Sequence, residues 1–305
     1  TPGEDEMTGK FLKTALLLLA TSMPSSLAAD PVQNTIGDTT LTAELVLAEG
    51  KTFADGIALI THGTLAHSKM DIVQALQDNL QNAGHSSLAI NLSLGNPDRE
   101  FMYDCKVPHN HRFHDAMVEI ESWVTWLKTK GTSSVTVVGH SRGGNQTAWY
   151  AAQKPDDIVT KVVLIAPATW IKTRQSEGYE ARYKVPLATV LKKARNLSQN
   201  GQGDSFMSST GFLYCPEAKV TADTFLSYYI PDMRFNTPDL LPKISKPTLV
   251  VAGSDDKVVR DLGTQMQDRS FGDHVKLEIV DGAGHFYRDL YGEDLSDLVI
   301  EFLEK

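Results

Sequence analysis

Residues 134–143 read SVTVVGHSRG and join two different patterns. Its first half is rich in β-branched residues and predicts a buried strand. Its second half matches the pattern G-x-S-x-G, and helical spacing follows directly, from Gly143 to Gln153. A serine between a strand and a helix stands on a sharp turn, where Gly139 and Gly143 leave room for the backbone. This context predicts a nucleophile elbow that exposes Ser141 at the end of the strand.

The same turn also provides an electrostatic environment that suits a nucleophile. A helix that begins here directs its first backbone amides toward Ser141 and favours negative charge there. Gly139, His140 and Gly143 are predicted to form the elbow around it. The alternative interpretation is a tight strand-to-helix turn whose serine is incidental, because the five-residue pattern also arises by chance.

Strands and helices alternate on both sides of this stretch. Apolar strand patterns occur at Gly56–Thr61, Ser87–Leu92, Ile158–Ile165, Thr248–Ala252 and Val275–Val280. Apolar residues at helical spacing occur at Lys69–Asn82, His114–Lys130, Asp261–Phe271 and Leu290–Leu303. Such alternation predicts an α/β fold, with a mostly parallel central sheet and helices on both of its faces. The segment Leu41–Leu47 alternates apolar and polar residues, and we expect it to form an edge strand.

The regular alternation stops after Pro167. Residues 168–240 show helical patches and loops without a clear strand pattern, so we expect a mainly helical insertion, called the cap below, between two strands of the sheet. Between 170 and 200 this insertion carries seven basic residues and two acidic ones, a net charge of +5. Such a run serves either as the solvated face of helices or as a surface for an anionic substrate or lipid.

The insertion is also rich in aromatic residues. Those between 206 and 235 are Phe206, Phe212, Tyr214, Phe225, Tyr228, Tyr229 and Phe235. They are expected to form either an apolar pocket for an acyl or aryl group above the nucleophile or the hydrophobic core of the cap itself.

A serine nucleophile needs a base and an acid that orients the base. His285 lies in the glycine-rich segment 282–286, directly after a predicted strand, and Asp255 and Asp256 follow the strand before it. In open α/β sheets, residues just beyond the carboxyl ends of the strands form the functional site. The chain therefore offers a serine, an aspartate and a histidine in that order, with both aspartates open as the acid.

In this order of residues the chain resembles the α/β-hydrolase superfamily, particularly its secreted serine esterases and lipases. The resemblance extends over residues 41–305. It implies that Ser141 is the nucleophile and that His285 is the general base. It also favours Asp256 over its competitor Asp255 as the acid, because the family usually has Gly-x-x-Asp after that strand.

The segment His62-Gly63-Thr64 follows an apolar strand and resembles the family's His-Gly oxyanion element. The resemblance implies that the backbone N–H groups of Thr64 and Arg142 bind the oxyanion. A purely structural role for His62 beneath this loop is compatible with that interpretation, because the implied donor is a neighbouring amide.

Three further histidines, His109, His111 and His114, form the pattern H-x-H-x-x-H before a predicted helix. Clustered imidazoles are typical ligands of zinc or copper. No nearby cysteine completes a familiar metal pattern, so we expect no metal here and interpret the histidines as polar loop residues near the site. Metal binding remains the alternative.

Residues 1–29 are predicted to be a signal peptide rather than part of the fold. Basic residues precede an apolar run at 15–20, and small residues up to Ala29 form a cleavage site. Met7 is then the natural start, with additional residues before it. The pattern predicts that the mature domain, residues 30–305, is secreted or periplasmic.

The chain contains two cysteines, Cys105 and Cys215, which lie 110 residues apart. Cysteines of an exported protein pair in the oxidising compartment when they meet in space. The alternative is a pair of buried free thiols.

The sequence thus predicts a serine hydrolase that cleaves a small or lipid-like carboxylic ester through an acyl-enzyme, without a cofactor. A thioesterase, a peptidase or amidase and an acyltransferase remain open, because the same residues serve all of these reactions. A non-catalytic or metal-binding protein is the alternative from another class.

The net charge of −9 argues against a nucleic-acid partner, and the short apolar run argues against stable membrane insertion. Nothing in the composition indicates an obligate oligomer, so a monomer is favoured.

Overall fold

The computed structural model describes residues 29–305 except Lys154. The predicted signal peptide, apart from its last residue, lies outside the described residues. The strands are β1 (Asp30–Ile36), β2 (Thr39–Val46), β3 (Ile57–Thr61), β4 (Ser86–Asn91), β5 (Val135–His140), β6 (Val159–Ile165), β7 (Phe206–Phe212), β8 (Cys215–Thr221), β9 (Thr248–Gly253) and β10 (Val275–Val280). The helices are α1 (Asp71–Asn82), α2 (Asp115–Thr129), α3 (Ser141–Ala152), α4 (Lys172–Tyr183), α5 (Leu187–Gln199), α6 (Ala222–Tyr229), α7 (Thr237–Leu240), α8 (Leu262–Gln267) and α9 (Leu290–Glu304). Short 3-10 helices lie at Phe53–Asp55, Met233–Phe235 and Leu241–Lys243.

Within the described part of the chain, eight strands form one sheet in the order β1-β2-β4-β3-β5-β6-β9-β10. The first two strands pair antiparallel, and the strands from β4 to β10 in this order run parallel to one another. The carboxyl ends of β3, β5, β9 and β10 therefore lie at the same edge of the sheet. The predicted α/β fold with a mostly parallel sheet is confirmed.

Apolar side chains pack on both faces of the central strands. Leu59 and Val137 contact the layer that contains Trp123 of α2, whereas Ile60 and Val138 contact the layer formed by α1 and α9. A strand covered on both faces buries every side chain, which explains why the sequences of β3 and β5 are apolar almost without interruption.

The edge of the sheet differs from the prediction. Residues 41–47 were expected at the edge, but β2 lies between β1 and β4 and is largely buried. The edge strand is β1, whose sequence DPVQNTI contains only Val32 and Ile36 as large apolar residues. Of the three partly buried positions 32, 34 and 36, the middle one is the polar Asn34, so two apolar residues are too few to produce a recognisable alternation.

The segment 168–240 is folded as α4, α5, a β7–β8 hairpin, α6 and α7, between β6 and β9. The sequence of this segment shows no clear strand pattern, yet the structure contains two strands here. Both strands of the hairpin mix buried and exposed polar positions, and the pairing register shifts twice along its length. These irregularities conceal the strand period in the sequence. Most of the segment's regular structure is nevertheless helical.

The hairpin is attached to the loop that follows β4. A disulfide joins Cys105 to Cys215, the first residue of β8, with their Cα atoms 5.4 Å apart. Backbone hydrogen bonds reinforce it, because the His109 amide donates to the Lys219 carbonyl at 2.7 Å and the Thr221 amide donates to the His109 carbonyl at 3.0 Å. The loop and the hairpin are thereby fixed to each other.

Across residues 29–305 without Lys154, none of the helices combines the length and the apolar character that crossing a bilayer requires.

Candidate active site

Ser141 is the first residue of α3 and follows β5 directly. Its φ of 58° is a left-handed value that costs free energy for a residue with a side chain. The surroundings force this turn. A Cβ on Gly143 would overlap the His62 carbonyl, and a Cβ on Gly139 would lie 2.5 Å from the Gly143 carbonyl oxygen. Only glycine at these two positions lets the helix approach the neighbouring strand closely enough.

Ser141, His285 and Asp256 lie in one hydrogen-bonded chain. The Ser141 Oγ is 2.8 Å from His285 Nε2, and His285 Nδ1 is 2.7 Å from Asp256 Oδ2. Each of the three residues is more than nine-tenths buried. Because the carboxylate accepts from Nδ1–H, the Nε2 atom of a neutral imidazole is free to accept the serine proton.

The structure distinguishes the two aspartates. Asp256 Oδ1 accepts hydrogen bonds from the Val258 and Val259 amides at 2.7 and 2.8 Å. Burial opposes its charge, but the hydrogen bonds from His285 and from these two amides outweigh burial and lower the pKa of Asp256 below its ordinary value. Asp255 is exposed and pairs with Lys257 instead. Asp256 is therefore the aspartate that contacts the histidine.

His140 supports the histidine from the elbow side. Its Nε2 donates to the backbone carbonyl of His285 at 2.9 Å. Burial lowers the pKa of His140 to about 4, so the ring is neutral at ordinary pH. A neutral ring in this position anchors the loop after β10 without placing a second cation beside His285.

The loop after β3 is held in place by His62 and by a residue that the sequence did not single out, Arg99. His62 Nδ1–H donates to the Gly63 carbonyl at 2.8 Å, and its Nε2 accepts from the Leu92 amide at 3.1 Å and from Arg99 Nη2 at 2.9 Å. Burial first, and the charge of Arg99 second, lower the pKa of His62 well below its usual value. His62 thus fixes the backbone that leads to Thr64, which lines the same cavity as Ser141.

Arg99 and Glu119 form a buried support that sequence reasoning missed. Arg99 also donates to the carbonyls of Leu92, Ala66 and Phe101 at 2.6–2.7 Å. Glu119 of α2 accepts from the Ser93 amide at 2.8 Å and from the Ser93 hydroxyl at 2.6 Å. Burial raises the pKa of Glu119 to about 7. Charged residues normally face water, in a loop as at Arg99 or on a helix as at Glu119, so nothing in the sequence marked these two residues.

Two neighbouring cavities lie at the elbow. The smaller has a volume of about 140 Å³ and contains Ser141 and His285, with apolar walls that include Ile72 and Met102. The larger has a volume of about 350 Å³ and lies between the elbow and the segment 168–240. Thr64 and Tyr214 line both cavities, so the tip of the β7–β8 hairpin separates them.

The aromatic residues of the insertion divide between the two expected roles. Phe212 and Phe225 are fully buried and form the core of the cap, whereas Tyr214, Tyr228 and Phe235 line the larger cavity. The aromatic cluster therefore contributes both to the core of the cap and to the wall of the larger cavity, and its role as an acyl or aryl pocket stays a prediction.

The three histidines of the H-x-H-x-x-H pattern do not converge. His109 and His111 are buried together, with 3.2 Å between His109 Nδ1 and His111 Nε2, and His111 Nδ1 is 2.9 Å from the Tyr228 hydroxyl. His114 is exposed at the start of α2. In residues 29–305 apart from Lys154, no group of three or more His, Cys, Asp or Glu side chains is placed to hold a metal ion.

The fold and the hydrogen-bonded chain define the class, which is that of the α/β-hydrolases. The sequence pattern of the family described as serine aminopeptidase, S33, matches residues 53–288, and the chain belongs to this family.

Individual proteins are similar to the chain in sequence or in structure. The bifunctional esterase/perhydrolase DCH of Acinetobacter calcoaceticus is 32% identical over 147 residues, which cover 42% of this chain and 52% of that protein. The matched region thus spans about half the length of that curated relative. The structure of Est1E from Butyrivibrio proteoclasticus with bound ferulic acid superposes with a TM-score of 0.64 at 17% identity, covering 90% of this chain and all of the other. The Pyrococcus furiosus esterase Pf2001 gives a TM-score of 0.59 at 16% identity, covering 90% of this chain and 89% of the other. At these identities the structural likeness concerns the fold.

Proposed function

We propose that this protein is a serine hydrolase that cleaves a carboxylic ester through an acyl-enzyme intermediate. The hydrogen bond of 2.8 Å between Ser141 Oγ and His285 Nε2 carries the proposal, because it gives the serine a base within reach. The similar proteins named above as esterases support the choice of an ester.

The proposed reaction uses only groups of this chain. Ser141 Oγ attacks the ester carbonyl while its proton passes to His285 Nε2, and Asp256 stabilises the imidazolium that forms. The backbone N–H groups of Thr64 and Arg142 hold the oxyanion. His285 then protonates the departing alcohol, and a water molecule, deprotonated by the same histidine, releases the acid.

A fluorophosphonate probe tests this function directly, because it reacts with activated serines. We expect labelling at Ser141 in the wild type, none in Ser141→Ala and very slow labelling in His285→Ala. Ser176→Ala, which removes an exposed serine on α4, is the matched control and labels like the wild type. Absence of labelling in a well-folded wild-type protein would overturn the proposal.

We also propose export to the periplasm or the medium, with residues 168–240 as a cap over the site. The disulfide between Cys105 and Cys215 supports export, because such bonds persist mainly in oxidising compartments. Expression of the whole chain with sequencing of the mature N-terminus tests it. An N-terminus at residue 29 or 30 in an exported fraction is expected, and a cytoplasmic protein that retains the apolar run 15–20 contradicts it.

A further inference from the structure

The larger cavity has a strongly positive lining. Arg142 lines it from the elbow, and Arg174 and Arg182 line it from α4. None of the described residues that line this cavity is an aspartate or a glutamate. The charge of Arg174 is balanced by a carboxylate that does not line the cavity, because its Nη1 pairs with Asp261 Oδ1 at 2.5 Å. Among the residues that the structure describes, Arg142 and Arg182 have no carboxylate partner.

Arg142 is the better placed of these two. Its Nε donates to Thr64 Oγ1 at 2.9 Å, and its guanidinium lies over the rings of Tyr228 and Phe113, at 5.5 and 5.7 Å from their centroids. These contacts fix the guanidinium plane at low entropic cost. Within the described residues its terminal nitrogens have neither an ion pair nor a hydrogen bond. A fixed, half-buried guanidinium with free donors in a cavity is suited to bind a carboxylate through two hydrogen bonds.

Arg182 lies on the opposite wall, at the hairpin tip. Its Nη1 donates to the Leu213 carbonyl at 2.8 Å, and its guanidinium stacks on Tyr214 at 5.6 Å. Burial raises the pKa of Tyr229, which also lines this cavity, to about 12, so its hydroxyl stays neutral and does not repel an anion. Arg174 and Arg182 belong to the basic run between 170 and 200, whereas Lys192 and Lys193 of the same run are exposed on α5 and line neither cavity.

We propose that the substrate is an ester whose larger part carries a carboxylate, which Arg142 binds in the larger cavity with help from Arg182. The inference rests on the proposed hydrolase function and adds the substrate class to it. The smaller cavity, at about 140 Å³, then holds a short apolar group, and the aromatic walls of the larger cavity accommodate a planar or ring-containing group. The same charges disfavour a substrate with a cationic amino terminus, since it would meet arginines and no carboxylate.

A matched pair of esters measures this preference. The kcat/KM for 4-acetoxybenzoate is divided by that for 4-acetoxybenzamide, which has nearly the same shape and no charge. This ratio cancels any loss of reactivity common to both esters. We expect Arg142→Gln to lower the ratio about 10- to 100-fold, because a charge-assisted pair of hydrogen bonds is lost. Arg182→Gln lowers it less, and Lys192→Gln, which removes a charge from the same cap outside the cavity, leaves it within about twofold.

A second pair, monomethyl terephthalate and methyl 4-carbamoylbenzoate, places the carboxylate on the acyl side. A preference for the anion that Arg142→Gln abolishes in either pair supports the proposal and shows which side of the ester occupies the larger cavity. Unchanged ratios in both pairs overturn it.

Binding separates this inference from the proposed reaction. Calorimetric titration of Ser141→Ala with 4-hydroxybenzoate and 4-hydroxybenzamide is expected to show tighter binding of the anion, lost on adding Arg142→Gln. Equal binding of both ligands, or binding of neither, overturns the carboxylate site whatever the probe does at Ser141. Failure of the probe to label, with anion binding intact, overturns the hydrolase function alone.

Discussion

The carboxyl edge of the sheet and the cap above it are held by different forces. At the edge, backbone geometry positions the three residues of the proposed active site. Ser141 occupies a strained turn, two amides fix Asp256, and the loop of His285 is pinned by His140. In the cap, aromatic side chains and one disulfide provide the order. The difference suggests that changes at the edge reduce the rate for every ester, whereas changes in the cap alter selectivity and stability.

The largest expected effect is at the edge, where Asp256→Asn should lower kcat by about 10⁴-fold, because the histidine then adopts the wrong tautomer. Asp255→Asn is the matched control, because this neighbour is exposed and pairs with Lys257. It should leave kcat nearly unchanged. Steady-state kinetics with a neutral short-chain ester measures both variants, and equal losses would remove the distinction between the two aspartates.

Removing the disulfide that holds the cap should lower the stability of the protein. Replacing the disulfide in Cys105→Ser/Cys215→Ala is expected to lower the free energy of unfolding by about 3–5 kcal/mol, since the bond closes a long loop in the unfolded chain. Urea unfolding measures the loss, and reductant added to the wild type should reproduce it. The probe should still label Ser141, because the edge does not depend on the bond. Labelling that disappears with the disulfide would show that the two regions are not independent.

A pair of glycine substitutions compares the regions directly. Gly143→Ala pushes a methyl group into the His62 carbonyl at the edge, so it should destabilise the protein by about 3 kcal/mol and slow the labelling of Ser141. Gly178→Ala in the cap helix α4 meets no atom within 4 Å and should stabilise by about 0.5–1 kcal/mol. Thermal unfolding measures both variants. A similar loss of stability in both variants would contradict the closer contacts of Gly143 compared with Gly178.

The last expected effect concerns pH. Burial raises the folded-state pKa of Glu119 to about 7 from an ordinary value of 4.5, so the protonated form stabilises the folded protein. This contribution is complete below pH 4.5 and is lost as the pH rises through 7. The wild type should therefore lose on the order of 2 kcal/mol between pH 5 and 8 relative to Glu119→Gln, which does not titrate. Urea unfolding at several pH values measures the free energy of unfolding of both proteins. If the two free energies change with pH in parallel, the pH dependence belongs to other groups.

The edge and the cap also differ in how much of their structure the sequence could predict. Ser141 follows β5 directly, and Asp256 and His285 lie a few residues beyond β9 and β10, so the strand patterns placed a serine, an aspartate and a histidine at one edge. The preference for Asp256 over Asp255 came from the resemblance to the α/β-hydrolases. β1 and the β7–β8 hairpin escaped notice because exposed or irregular strands lack a clear apolar period. Arg99 and Glu119 escaped because only the packing of the loop after β4 against α2 buries them. The spacing of His109 and His111 suggested a common site with His114, but the start of α2 carries His114 to the surface.

The disulfide has a consequence for the protein after proteolysis. It encloses residues 106–214, which include the elbow and most of the cap, in one covalent ring. The turn at Gly201 and Gln202 is exposed, as is typical of sites where proteases cut. A single cut there opens the ring but leaves both fragments joined, so the hairpin stays tethered to the loop that underlies the serine. On a denaturing gel, the nicked chain would run as two fragments only after the disulfide is reduced. Without reduction, a single cut by a protease leaves the protein in one covalent piece.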